Sequence, residues 1–187
     1  MFNHKIDDRI ALKILELRDA EEVFHLTDGN REHLRQWLPW VDGTVSVEQT
    51  KNFIKSSLEQ FADNNGFNLG IVYGNKIAGC IGVHSIDWNN RKTSIGYWIG
   101  EEYQGKGIMT SSCRGLINYI FNDLHLNRVE IRAAVFNSKS RAVPERLNFT
   151  NEGTVRQAEW LYDHYVDHVV YGMLNKDWDC KGREKNA

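Results

Sequence analysis

The chain has 187 residues, 41% hydrophobic and 26% charged, enough for one domain with a substantial core. A formal net charge of -2 and a pI near 6.4 speak against a general binder of nucleic acid or membrane surfaces, which carries a basic patch. The apolar runs are too short to cross a bilayer, and Met1 to Asp8 is too polar for a signal peptide.

Cys80, Cys113 and Cys180 are odd in number and lack C-x-x-C spacing, as expected of reduced thiols in a cytoplasmic protein. With few prolines and no low-complexity segment, the chain reads as one domain over 1–178 and a polar tail over 179–187.

Ile10 to Leu17 alternates as a first strand, and Arg18-Asp19 opens a helix. Val23, Phe24, Leu26, Leu34, Trp37 and Leu38 then recur as one broken helix or two short ones, ended by Pro39. Ser46 caps a further helix with the apolar face Phe53, Ile54, Leu58 and Phe61, stopped by Asn64-Asn65-Gly66. Phe67 to Tyr73 and Lys76 to Ile86 are strands around a Gly74-Asn75 hairpin turn, and Asn89-Asn90 leads into a strand over Thr93 to Ile99.

A long helix follows, apolar at 113, 116, 117, 120, 121 and 124. Arg128 to Val135 reads as strand and Ser138 to Leu147 as helix. Thr150 to Glu159 and Tyr165 to Leu174 form a closing strand pair. This order belongs to a mixed α+β domain.

Between the Thr93–Ile99 strand and the long helix stands Gln104-Gly105-Lys106-Gly107. Glycines there let backbone N–H groups approach a ligand, and the helix beyond offers unpaired donors and the positive end of its dipole. That is an anion cradle, suited to a pyrophosphate; a plain strand-to-helix connection is the alternative. It is not a Walker A loop, since no Ser or Thr follows the lysine, and Thr110 stands where the dinucleotide fingerprint needs its third glycine. His164 and His168 fall on a strand, where they would be ordinary surface residues, so no metal site is expected. Cys113 lies on the apolar stripe and reads as core.

Gln104-Gly105-Lys106-Gly107-Ile108-Met109 resembles the Q/R-x-x-G-x-G/A signature of the GCN5-related N-acetyltransferases. Ile95-Gly96-Tyr97-Trp98 is similar to the Gly-Tyr-Trp strand of the RimJ/RimL subgroup. So are Asn137-Ser138-Lys139-Ser140-Arg141 with Glu145 to Phe149, Glu152-Gly153, Gln157-Ala158-Glu159 and Tyr165-x-Asp167. His33 to Trp40 is similar to the subgroup's early helix. Met109 stands where the signature has Gly or Ala, Asn148 replaces a Gly, and Ser94 stands where many relatives carry a strand Glu that serves as base.

The resemblance implies the acyl-CoA N-acyltransferase fold: a mostly antiparallel sheet, a splayed strand pair (93–99 and 128–135) and flanking helices. It implies acetyl-CoA as cosubstrate, with its pyrophosphate on the backbone of Gln104, Gly105, Lys106, Gly107, Ile108, Met109 and Thr110. Pantetheine would pair with Trp98-Ile99 and meet the Asn137 amide. The Ile99 N–H would polarise the thioester carbonyl. Ser140 would serve the departing thiolate, its alternative being a helix cap.

Glu159 would be the base, with Ala158, Trp160 and Leu161 walling it from water; a solvated strand-end carboxylate is the alternative. The implied activity is acetylation of a protein N-terminal α-amino group in a ternary complex, by a cytoplasmic homodimer that needs no metal. A small-molecule amine acetyltransferase (polyamine, amino acid or antibiotic) and a non-catalytic CoA-binding regulatory module are the rivals. Trp37, Trp40, Trp88 and Trp160 would line an acceptor groove or a dimer contact.

Overall fold

Alternating apolar residues make each strand two-faced, and the pairing decides where each face goes. The computed structural model describes residues 3–182. Among them, eight strands form one sheet: β1 (Asn3–Lys5), β2 (Ile10–Ile14), β3 (Phe67–Tyr73), β4 (Lys76–Val83), β5 (Lys92–Ile99), β6 (Arg128–Ala134), β7 (Thr150–Leu161) and β8 (His164–Leu174). Their order is β1-β2-β3-β4-β5-β6-β8-β7, antiparallel throughout except for the parallel β5–β6 pair. The helices are α1 (Ala20–Gly29), α2 (Arg31–Arg35), α3 (Val47–Ala62), α4 (Ile108–Asn122), α5 (Ser138–Arg146) and α6 (Asn175–Gly182).

Residues opposite one another across a ladder share a face. Leu12, Ile71, Leu69, Ile81, Val83, Ile95, Ile131 and Tyr171 therefore meet on one face, where the α4 stripe Cys113, Leu116, Ile117, Ile120 and Phe121 buries against them. On the other face α1 and α3 pack on β4 and β3, around Leu15, Ala20, Val23, Ile54, Ile77 and Cys80. Beyond β5 that second face carries a charged ladder. Glu130 is bound by Arg128 and Arg132, and Arg128 also binds Glu152.

Several expected boundaries shift. The first strand stops at Ile14, and β4 stops at Val83, short of Ile86. The buried side of α3 is Thr50, Ile54 and Ser57, whereas Phe53 and Phe61 stay exposed. The reason is tertiary: the Ser57 hydroxyl accepts the Asn68 N–H of β3 at 2.9 Å, so a satisfied polar residue holds an inward position. Ser46 stands before α3, but its side chain goes to the Gln49 side chain and caps no backbone group. The chain is helical through Gly182, into the segment expected as a tail; 183–187 lie outside the described residues.

Candidate active site

The β5–β6 pairing ends at Ile95 opposite Ile131. From there β5 stays with β4 up to Ile99, and β6 stays with β8 up to Ala134, so the two strands splay. Strand geometry tells which groups face the gap. The Gly100 N–H bonds the Ala78 carbonyl and the Ser94 carbonyl accepts the His84 N–H, so even-numbered residues of β5 turn their backbone toward β4. Tyr97 and Ile99 consequently offer C=O and N–H to the gap. Trp98, expected to pair with a ligand, spends its backbone on β4 and sends its ring to within 6.0 Å of the Trp40 ring.

At the end of β5 lies the glycine turn. Gly105 and Gly107 have φ of 72° and 75°, a region where side chains are disfavoured, and a Cβ at either would touch nothing. Gly107 is the N-cap of α4 and gives no side-chain cap, nor is there an acidic residue in the first turn. The N–H groups of Ile108, Met109 and Thr110 are thus the orphan donors of a helix start beside open space. Met109 is buried in the core, so the missing small residue of the signature leaves the backbone accessible. The Gln104 side chain is engaged elsewhere, donating to His33 Nε2 at 2.6 Å and accepting from Lys139 Nζ at 2.8 Å. Lys106 lies with its Nζ 5.6 Å from the Tyr103 ring centre.

On the α5 side, Asn137 caps the helix by accepting the Ser140 N–H at 3.1 Å. The half-buried Ser140 is therefore not the cap, and its hydroxyl has no partner among the described residues. The Tyr97 hydroxyl donates to the Ser140 carbonyl at 2.9 Å, tying β5 to α5 across the splay. Sequence reasoning missed this tie, although the alternation of β5 places Tyr97 on the α5 face.

The charged face lies behind the gap. Ser94 stands opposite Glu130, and its hydroxyl is 3.4 Å from His84 Nδ1, whose ring lies over Gly96. Glu130 is the carboxylate paired across the ladder with the position of the missing strand base. Burial raises its pKa, but hydrogen bonds from Arg132 and Arg128 outweigh that and hold it below the ordinary value. It is committed to the ladder as an anion.

Glu159 sits differently. It is half-buried on β7, with Oε2 3.5 Å from His168 Nε2, and His168 lies opposite Ala134 at the last pair of β6. Of the expected apolar wall, Ala158 and Trp160 are exposed and Leu161 alone is buried; the carboxylate of Glu159 meets a histidine. His168 is thus no ordinary surface residue, and only the register of a bulged ladder reveals this.

The tip of the β7–β8 hairpin is tied to α2 and the chain that follows it. The Tyr162 hydroxyl donates to the Leu38 carbonyl at 2.7 Å, and the Arg35 guanidinium lies 3.9 Å from the Tyr162 ring centre, held in turn by Asp42 at 2.8 Å. Of the two described thiols, Cys80 is pushed up to about 12 by burial and Cys113 still further, so neither is a nucleophile. Among the described residues no group of His, Cys, Asp or Glu could hold a metal ion, and no helix is long and apolar enough to cross a membrane.

A splayed parallel pair beside an uncapped helix start leaves unpaired backbone groups along a strand edge and at a helix N-terminus. The chain belongs to the GNAT family of N-acetyltransferases: residues 9–150 match the Acetyltransferase (GNAT) domain. It is 41% identical over 180 residues to the putative ribosomal N-acetyltransferase YdaF of Bacillus subtilis (strain 168), covering 96% of this chain and 98% of that one. Among solved structures it is similar to RimL, a ribosomal L7/L12 α-N-protein acetyltransferase in complex with coenzyme A. There the TM-score is 0.91 and the identity 28%, over 95% of this chain and all of that one. It is also similar to the microcin C7 self-immunity acetyltransferase MccE in complex with acetyl-CoA and AMP, with a TM-score of 0.87 and 32% identity over 91% and 94% of the two chains.

Proposed function

We propose that this enzyme transfers acetyl from acetyl-CoA to the α-amino group of a protein N-terminus, of the ribosomal-protein kind, by direct attack with both substrates bound. The observation that carries the reading is the splay of β5 from β6 after Ile95 and Ile131, beside the uncapped start of α4. The Gln104 N–H is given to the Glu101 carbonyl at 3.1 Å, so backbone donors of residues 105 to 110 hold the pyrophosphate, and Tyr97 and Ile99 pair with the pantetheine arm. Asn137 Nδ2 is its further donor. When bound, acetyl-CoA supplies an activated acetyl group and a thiolate leaving group. The Ile99 N–H polarises the carbonyl. Glu159 takes a proton from the acceptor ammonium, directly or through a water, and the unpartnered Ser140 hydroxyl donates to the departing sulfur. With Cys80 and Cys113 buried and protonated, an acyl-enzyme has no thiol among the described ones to form on.

The names of the YdaF and RimL relatives support a ribosomal-protein acceptor. Such an acceptor is met in the cytoplasm, which the buried free thiols suit. A homodimer belongs to the same reading, and light scattering reads it as twice the 21.7 kDa chain.

Acceptor screening tests the substrate class. Peptides with ribosomal-protein N-termini are expected to be acetylated at the α-amine, and free polyamines, amino acids and aminoglycosides are not. Transfer to small amines alone would replace the reading with the small-molecule one, for which the likeness to MccE is the supporting observation. Tight acetyl-CoA binding without transfer to any acceptor would leave a regulatory module.

The two residues at the start of α5 differ: loss of Ser140 touches turnover alone, whereas loss of Asn137 touches stability and also acetyl-CoA binding. Ser140→Ala is expected to lower kcat by about 10- to 100-fold with an unchanged melting temperature, because Ser140 caps nothing. Asn137→Ala is expected to lose about 1 kcal/mol of stability in denaturant titration, because it removes the cap.

A further inference from the structure

The ladder between β7 and β8 is irregular where the site needs it. β7 advances from Val155 to Glu159 while β8 steps only from His168 to Val166, so β7 carries extra residues that bulge out. Gln157 sits within the bulge at φ 48°, a left-handed conformation that a non-glycine residue adopts only when its surroundings hold it. One contact does so: Asp167 Oδ1 accepts the Gln157 N–H at 2.7 Å. The Asp167 carbonyl in turn accepts the Val135 N–H at 2.9 Å, which ties the bulge to the chain just beyond β6. The next residue along β8 is His168, whose side chain is 16% exposed and reaches the Glu159 carboxylate at 3.5 Å.

We propose that Asp167 and His168 are positioning residues for Glu159. Asp167 fixes the bulge through the Gln157 N–H, and His168, opposite the last residue of β6, holds the carboxylate. The inference rests on Glu159 acting as the base. Its physical basis is register: the bulge holds two extra residues in β7, and a regular ladder running on from the Val155–His168 pair would leave Glu159 on the same face but opposite His164, two residues along β8 from Val166. With the bulge pinned, the carboxylate meets an imidazole on the neighbouring strand. Without that imidazole, a carboxylate 34% exposed rotates into water.

The test measures kcat, the KM values and the acetyl-CoA Kd for Asp167→Ala, Asp167→Asn, His168→Ala and His168→Gln, each alone and with Glu159→Gln. Hydrogen exchange at the Gln157 amide is followed alongside. Asp167→Ala and His168→Ala are expected to lower kcat about 10- to 100-fold while the acetyl-CoA Kd stays within about twofold. Asn keeps the acceptor oxygen and Gln keeps an amide donor, so both are expected to restore most of the turnover. In the Glu159→Gln background neither alanine is expected to cost anything further. Exchange at Gln157 should quicken in Asp167→Ala and not in Asp167→Asn. Equal losses with and without Glu159, or unchanged exchange at Gln157, would overturn the proposal. Full turnover in Glu159→Gln alone would instead overturn the base assignment, and the exchange data would still decide whether Asp167 holds the bulge.

Discussion

Gly107→Val is expected to weaken acetyl-CoA binding by about 10- to 100-fold, equivalent to about 1.4 to 2.8 kcal/mol, in a protein that still folds. Gly107 sits at φ 75°, where a β-branched residue is strained, and it is the N-cap from which α4 starts. Relief of that strain requires the turn to rearrange, which swings the N–H groups of residues 108 to 110 away from a common anion. A Cβ there meets no neighbouring atom, so the core is untouched, and the stability cost is confined to about 1 to 2 kcal/mol of backbone strain. Titration calorimetry with acetyl-CoA, alongside a thermal melt, reads both quantities. Wild-type affinity in this variant would mean that the pyrophosphate binds elsewhere. Met109→Leu is the matched control: its side chain lies in the core, and affinity is expected to be retained.

Glu159→Gln is expected to lower kcat by about 10²- to 10⁴-fold with little change in the acetyl-CoA Kd. The amide keeps the shape and polarity of the side chain but cannot accept the proton of the acceptor ammonium. Steady-state kinetics with a peptide acceptor, and calorimetry for the cosubstrate, separate the two effects. The comparison with Glu130→Gln decides between the two carboxylates on this face. Glu130 is held as an anion by Arg128 and Arg132, so its amide variant is expected to lower the melting temperature and leave the chemical step nearly intact. A large loss of turnover in Glu130→Gln with none in Glu159→Gln would reverse the assignment.

Much of the scaffold is legible residue by residue. Of the stripe at 113, 116, 117, 120, 121 and 124, the first five are a buried face of α4, as 3.6-residue periodicity requires, and Leu124 lies past the helix end at Asn122, partly buried. The Gly74 turn and Asn148 adopt the left-handed conformations that their residue types favour, at φ 63° and 59°. The Gly105 and Gly107 cradle is also readable, since it is built from backbone and needs only glycines followed by a helix. Where a polar residue is satisfied by a distant partner, periodicity misleads. Ser57 faces inward because the Asn68 backbone answers it, and Phe53 and Phe61 are displaced to the rim.

The sequence by itself determined most of the elements and the glycine turn at the start of α4, because propensity, periodicity and glycine chemistry act over a few neighbouring residues. Only the tertiary structure decided which groups face one another in the site. The splay after Ile95 and Ile131 turns Tyr97 and Ile99, and not Trp98, toward the gap. A bulge in β7 brings Glu159 to His168, and the Tyr162 hydroxyl meets the Leu38 carbonyl 124 positions away. Register, bulges and long-range closure depend on how every strand packs at once, and no short window of residues contains that information.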